Sequence, residues 1–478
     1  MSEPASAAAP APATGAGDNI EYSLFEVRKK IQMRSVSGWF AAWRWALVWF
    51  TQLVYYGLCW LPWNGRQAVL FDLVERKFYI FGLIFWPQDV IYLAILLIIS
   101  AYALFLFTAI GGRLFCGYAC PQTVYTEIFM WVEAKIEGDR SARLKLDAEP
   151  FSGRKLIRKA AKHGVWFLIA LWTGFTFVGY FTPIRTLIGE VQPWSLGPWE
   201  TFWIFFYGFA TYGNAGWMRE QVCKHMCPYA RFQSVMFDRD TLIVTYDAQR
   251  GEPRGSRGRA ADHRASGLGD CVDCSICVQV CPTGIDIRKG LQYECIGCSA
   301  CIDGCDQVMD KMGYPRGLIR YSTERALELG WGRKEIFGHI MRPRIMIYSG
   351  ILAVIVAAAV LALAMRTPLK LDVIRDRKNL GQIEEGGRVE NSYKLQIMNT
   401  SEAAHRYLIT VTGLAGIDIN HQKEMEIPVA ALTTQSVFVD VYLPPESGRQ
   451  GSNRIFFDVK ALDDASIAVH EKATFLIP

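Results

Sequence analysis

Hydrophobic and polar positions divide the chain into two regimes. Up to residue 365 the apolar residues come in long runs, and five stretches, 39–60, 90–111, 161–182, 199–219 and 345–365, are long enough to be read as helices crossing a bilayer, which takes about 20 residues. The last reads "IMIYSGILAVIVAAAVLALAM". The fourth is more polar, and its Gly208, Gly213 and Gly216 suit close helix packing. Beyond residue 366 the period changes to two. "YKLQIMN" (393–399), "HRYLITVTG" (405–413), "QSVFVDVYLP" (435–444) and "RIFFDVKAL" (454–462) alternate apolar and polar residues, with turn-rich text such as "PPESGRQGSN" between them. Short strands at that spacing predict a β-sandwich.

Charge orients the spans. Lys and Arg crowd 112–160 and 219–344 but are sparse in 61–89 and 183–198. The positive-inside rule then puts the N-terminus and both basic segments in the cytoplasm and residues 366–478 on the far side. Arg44 is expected to snorkel from the first span to the near face, and Asp89 to cap the second helix rather than bind a quinol. Of the seven histidines only His163 touches a span, which argues against membrane haem. A net charge of +5 gives no nucleic-acid signature, and membrane lipid is the expected surrounding. The Ala/Pro-rich start, "MSEPASAAAPAPATGAGDN", reads as a disordered cytoplasmic tail without a signal peptide. The expected division is a tail over 1–38, a four-span region over 39–219, a cytoplasmic segment over 220–344, a fifth span over 345–365 and a β domain over 366–478.

The thirteen cysteines supply the chemistry. Twelve lie between Cys116 and Cys305, while Cys59 sits alone in an apolar run as a small hydrophobe. Such clustering favours metal binding in a reducing compartment over disulfides. "CVDCSICVQVCP" and "CIGCSACIDGC" are both C-x2-C-x2-C-x3-C, the run that holds [4Fe–4S] clusters with the fourth ligand crossed. Cys271, Cys274, Cys277 and Cys305 are thus expected around one cluster, and Cys295, Cys298, Cys301 and Cys281 around the other. Zinc sites usually pair two C-x2-C knuckles instead. Pro282 follows the first run, but Asp306 takes that place after the second, which is expected to alter the local turn. The core of this α+β ferredoxin-like insert is expected over 265–315.

Two further motifs, "CGYACP" (116–121) and "CKHMCP" (223–228), each follow a predicted span, as in a duplicated hairpin. The spacing predicts that Pro121 and Pro228 start surface helices, with Cys120 and Cys227 at their N-termini and lowered thiol pKa values. Three readings of Cys116, Cys120, Cys223 and Cys227 remain open. They hold Cu(I), with His225 and Met226 as weaker candidate helpers; they close around a third cluster or zinc; or they are structural thiols.

The text "CGYACPQTVYTEIFMWVEAKIEGDR", "CKHMCPYARFQSVMFDRDTLIVTYD" and "ECIGCSACIDGCDQVMDKMGYPRGLIRYST" resembles the cytochrome c oxidase accessory protein family (CcoG/FixG/RdxA) over nearly everything after residue 20. The resemblance implies a bacterial inner-membrane protein with two [4Fe–4S] clusters and an immunoglobulin-like C-terminal domain in the periplasm. It implies reduction of Cu(II) to Cu(I), with copper as substrate, for assembly of a cbb3-type oxidase. The partners implied are copper ions and a copper-exporting ATPase or copper chaperone. The rival expectation is a quinol-linked membrane ferredoxin, in which copper plays no part.

Overall fold

A computed structural model of the chain describes residues 31–192, 195–259, 267–384, 387–444 and 447–478. Most of the expected tail therefore lies outside the described residues. Residues 31–38 run without regular structure against the rest of the protein: Arg34 N–H donates to the Gln279 carbonyl, and Ser35 Oγ donates to Asp139.

Helices occupy all five expected stretches: α1 (Trp39–Gly57), α2 (Val90–Gly111), α6 (Gly153–Val178), α8 (Pro198–Thr211, continued as a π-helix over Tyr212–Met218) and α15 (Pro343–Ala364). Among the described residues, two helical stretches, Pro87–Gly111 and Pro343–Ala364, are long and apolar enough to cross a membrane. The five expected spans are thus narrowed to two on that criterion. α1 carries Arg44, α6 opens on the basic text "GRKLIRKAAKH", and α8 has only 14 residues before its geometry changes. α2 and α15 pack together, with the Tyr92 hydroxyl donating to the Ala362 carbonyl at 3.2 Å. Gly174 lets α6 and α8 touch, since a Cβ there would lie 2.2 Å from the Ile204 carbonyl. Gly216 contributes a lesser approach, to the Trp166 ring, and Gly213 none.

Between these helices lie α3 (Leu114–Tyr118), α4 (Pro121–Glu137), α5 (Arg140–Ala148), α7 (Ile184–Val191) and α9 (Pro228–Met236). The cysteine-rich insert is bracketed by an antiparallel pair, Ile243–Tyr246 with Ile319–Ser322, and contains α10 (Ala248–Gly251), α11 (Ile276–Gln279) and α12 (Ala300–Met312). Helices α13 (Glu324–Leu329) and α14 (Arg333–Ile340) lead on to α15. The turn expected to change at Asp306 is absent, because α12 runs unbroken through Cys305 and Asp306 to Met312. Proline there would break the helix. Asp306 instead accepts from Gly317 N–H at 3.0 Å.

The C-terminal part is a sandwich of two four-stranded antiparallel sheets. One runs Glu424–Val429, His405–Thr412, Gly451–Ala461, Ala468–Ile477; the other runs Asp418–Ile419, Thr434–Leu443, Val389–Asn399, Leu369–Ile383. Alternate residues face inward, so Tyr393, Leu395, Ile397, Tyr407, Ile409, Phe457 and Phe475 form the core. Four strands extend the expected alternation. Others, such as Leu369–Ile383, escape it because charged text such as "RDRKN" obscures their period.

Asp89 does more than cap. Its carboxylate accepts from Trp86 N–H at 3.0 Å and also pairs with Arg366 at 2.7 Å and with Lys370. It thereby joins the start of α2, the end of α15 and the first sandwich strand. A small sheet that the sequence pattern did not signal, Val69–Asp72, Lys77–Ile80 and Leu83–Phe85, lies beside this junction. Asp89→Asn leaves two partly buried cations without a counter-charge, and the expected loss is about 2–3 kcal/mol. Thermal unfolding in detergent, with limited proteolysis around residue 367, measures it. Unchanged melting and cleavage would show that the junction does not depend on this carboxylate.

Candidate functional site

The two ferredoxin-type runs adopt one local geometry twice. Asp273 and Ser275 flank Cys274 with φ of 50° and 55°, and Gly297 and Ser299 flank Cys298 with φ of 67° and 61°. Left-handed residues on both sides turn the chain tightly, and a short loop can then aim several thiols inward. Helices α11 and α12 begin right after these turns and bring in Cys277 and Cys301.

Two small hollows result. The outer one is lined by Cys271, Cys274, Cys277 and Cys305 together with Val272, Ile276 and Leu318. The inner one is lined by Cys281, Cys295, Cys298 and Cys301, with Cys277 on its wall. Cys274 reaches solvent, whereas no cysteine of the inner four is exposed. Burial pushes the Cys305 thiol up to about 12 and the Cys295 thiol up to about 11, and neighbouring thiols add to the effect in both. Thiolates crowded in such apolar hollows are stable only when a cation shares their charge, so the donor set fits an iron–sulfur group in each.

The C-x3-C motifs repeat a second geometry. Gly112 (φ 57°, ψ −120°) ends α2 four residues before Cys116, and Arg219 (φ 44°, ψ −112°) ends the π-helix four residues before Cys223. Cys120 and Cys227 then stand extended as N-caps, with Pro121 and Pro228 starting α4 and α9. An arginine in this glycine-like region costs of order 1–3 kcal/mol. Its guanidinium offsets the strain by pairing with the fully buried Glu133 at 3.0 Å. Arg143 (3.0 Å) and Lys162 (3.5 Å) complete the cage around Glu133, and Trp166 lies beneath Lys162 and Arg219. Gln122 of α4 donates to the Asn214 and Arg219 carbonyls, tying the first motif to the second.

The four thiols lie close enough to perturb one another. Burial pushes Cys116 up to about 11 and Cys223 up to about 12, with neighbouring thiols next in importance, and burial also raises Cys120. The lowering expected at Cys120 is overturned. Amides of Gln122 and Thr123 at the start of α4 do pull Cys120 down, but loss of water outweighs them. Among the described residues, no three His, Cys, Asp or Glu side chains converge as a single-ion site. His225 and Met226 are exposed, whereas Cys223 and Cys227 are half-buried.

The two cysteine regions are in contact. A Cβ on Gly117 would lie 2.8 Å from the Ile296 carbonyl and 2.9 Å from Cys298 N, and one on Gly297 would lie 3.3 Å from the Arg113 carbonyl. Beside this seam Ser299 Oγ donates to the Tyr321 hydroxyl at 2.6 Å, and that hydroxyl donates to the Gly297 carbonyl at 2.8 Å. Arg113, buried beside it, donates to the carbonyls of Tyr293 and Ala230. A small cavity of about 30 Å³ lies between Cys223 and Cys298 and is lined also by Arg44, Glu127, Glu220, Met33 and Met130. Arg44 does not snorkel. It is 4% exposed and donates to the Cys298 carbonyl at 2.6 Å. The sequence pattern singled out neither methionine; nothing but three-dimensional proximity marks them.

Comparison with known proteins agrees with this division. Residues 218–324 match a family model for a 4Fe-4S dicluster domain, residues 93–138 one for a 4Fe-4S binding domain, and residues 359–478 one for the Ig-like fold at the C-terminus of FixG. The chain is 38% identical to the nitrogen fixation protein FixG of Rhizobium meliloti, covering 82% of this chain and 80% of that one. It is 37% identical to protein RdxA of Cereibacter sphaeroides, over 92% and 95% of the two chains. The ferredoxin-type protein NapH of Haemophilus influenzae is 22% identical, over 39% of this chain and 66% of that one.

Gly117→Ala is expected to prise the loop 296–298 off the first motif, since overpacking of this kind costs about 1–3 kcal/mol. In cluster-free protein, alkylation of Cys116 and Cys298 followed by mass spectrometry should quicken by about tenfold, with Cys59 unchanged as an internal control. Equal labelling rates would mean that the two regions do not depend on this contact.

Proposed function

We propose a function from the premise that this chain belongs to the FixG and RdxA family of iron–sulfur electron-transfer oxidoreductases: it is a multi-pass protein of the bacterial inner membrane that reduces Cu(II) to Cu(I) for oxidase assembly. The observation that carries the reading is the seam at Gly117 and Gly297, where the backbone of the inner cysteine loop touches the backbone of the first C-x3-C motif. Cys271, Cys274, Cys277 and Cys305 would hold one [4Fe–4S] group, and Cys281, Cys295, Cys298 and Cys301 the other. These groups, when bound, supply storage and release of one electron at a time.

The residues of the chain do the rest. Exposed Cys274 sets the outer site where a donor can reach it. The backbone contact brings the inner site next to Cys116 and, through the shared cavity, next to Cys223. Cys116, Cys120, Cys223 and Cys227 offer thiolates, which favour Cu(I) over Cu(II) and so pull the transfer forward. Met33 and Met130 add soft thioethers on the cavity wall. Each Cu(II) takes one electron to give Cu(I), and thiol protons are displaced as the metal binds. Cu(I) then passes to an exporter or chaperone. Exposed apolar residues on all of α1, α2, α6, α8 and α15, such as Trp49, Leu97, Leu168, Phe206 and Val354, support five crossings, with the sandwich on the periplasmic side.

The test is anaerobic mixing of pre-reduced protein with Cu(II) and a Cu(I)-specific chelator while cluster absorbance is followed. Wild type should reoxidise as Cu(I) appears. Cys223→Ser/Cys227→Ser should keep its clusters but react at least about tenfold more slowly, as when metal-supporting groups are lost. If wild-type clusters stay reduced in Cu(II), the copper reading fails and a carrier to another membrane acceptor takes its place.

A further inference from the structure

The inner site poses an electrostatic problem. Adding an electron to a metal group adds negative charge, and a site with no exposed cysteine gives that charge less water than one containing exposed Cys274. Burial alone would therefore make the inner site the harder to reduce, and an electron entering at the surface would stay there. Fixed positive charge is the physical remedy, because net charge and hydrogen bonding around a cluster set its potential.

The arginines are distributed accordingly. At the outer site, Arg288 faces Cys277, but its guanidinium is tied to two carboxylates, Asp286 at 2.8 Å and Asp273. At the inner site, Arg44 binds the carbonyl of Cys298, itself one of the four inner cysteines, at 2.6 Å. Its nearest recorded carboxylate oxygen, on Glu127, is 3.9 Å away. Asp303 is the other carboxylate close by, and it is occupied with the amides of Phe40 and Ala41. Arg113 lies near Cys295 and donates to the carbonyls of Tyr293 and Ala230. Arg44 also lines the cavity that separates Cys298 from Cys223, so its charge lies on the path toward the C-x3-C thiols.

We propose that Arg44 sets the direction of electron flow, by raising the reduction potential of the inner [4Fe–4S] site above that of the outer one. One electron leaves the outer site and one arrives at the inner, and no bond or proton moves in the exchange. The proposal rests on the two-cluster reading but not on copper.

The experiment is dye-mediated redox potentiometry of the intact, iron-loaded protein in detergent, read by electron paramagnetic resonance and without copper. Cys274→Ser, which changes the outer ligand set, assigns the outer signal. Arg44→Gln should shift the inner midpoint downward and leave the outer one in place, while Arg44→Lys should restore much of the shift. Glu127→Gln, which removes the nearby negative charge and keeps Arg44, should shift the inner midpoint upward. Should Arg44→Gln lose its iron, the Glu127→Gln and Arg44→Lys arms decide. Unmoved inner midpoints in the loaded variants, or a shift confined to the outer signal, would overturn the role of Arg44. Absence of two distinct cluster signals in wild type would instead sink the two-cluster reading itself.

Discussion

The structure depends on one close approach, that of the backbone at Gly117 to the backbone of Ile296 and Cys298. Electron transfer through protein weakens steeply with the width of the gap, and two side-chain-free segments in contact give the narrowest gap a polypeptide can make. The surrounding features serve this seam. Ser299 and Tyr321 tie its loop with hydroxyls, Arg113 binds carbonyls beside it, and Arg44 reaches it from the first helix. A short helix, a loop from a distant insert and the start of α1 thus share one small volume.

Holding the second motif in the same volume takes a different device. Arg219 occupies a backbone region that suits glycine, and Gly112 occupies the equivalent place in the first motif. The two halves of the repeat have diverged here. One keeps the relaxed residue, and the other uses a strained residue whose guanidinium enters the cage around Glu133. Burial of the thiols follows from this packing, raises Cys116 and Cys223, and explains why the helix N-terminus does not acidify Cys120. Water removed by close packing costs a thiolate more than a few amide dipoles return.

Much of this was legible in the sequence. The doubled C-x2-C-x2-C-x3-C run carries its own geometry in its spacing, and the helices and sandwich strands announce themselves through their periods. What escaped had no periodic signature. Whether Arg44 turns toward water or toward Cys298 depends on an insert more than 200 residues later, and local text contains nothing of that. The pairing of Asp89 with Arg366 and Lys370 is equally remote in sequence. Thiol acidity was misjudged because a rule about helix ends is local, whereas burial is a property of the assembled fold.

The same remoteness bears on how the molecule is made. The first amides of α1, at Phe40 and Ala41, are capped by Asp303, which lies between Cys301 and Cys305 on α12 and is 262 residues beyond Ala41. The helix that leaves the ribosome first is therefore finished by a side chain that arrives long afterwards. That side chain is oriented only once the thiols on either side of it have been gathered. Folding of the insert and completion of the first helix are thereby coupled across 262 residues of chain.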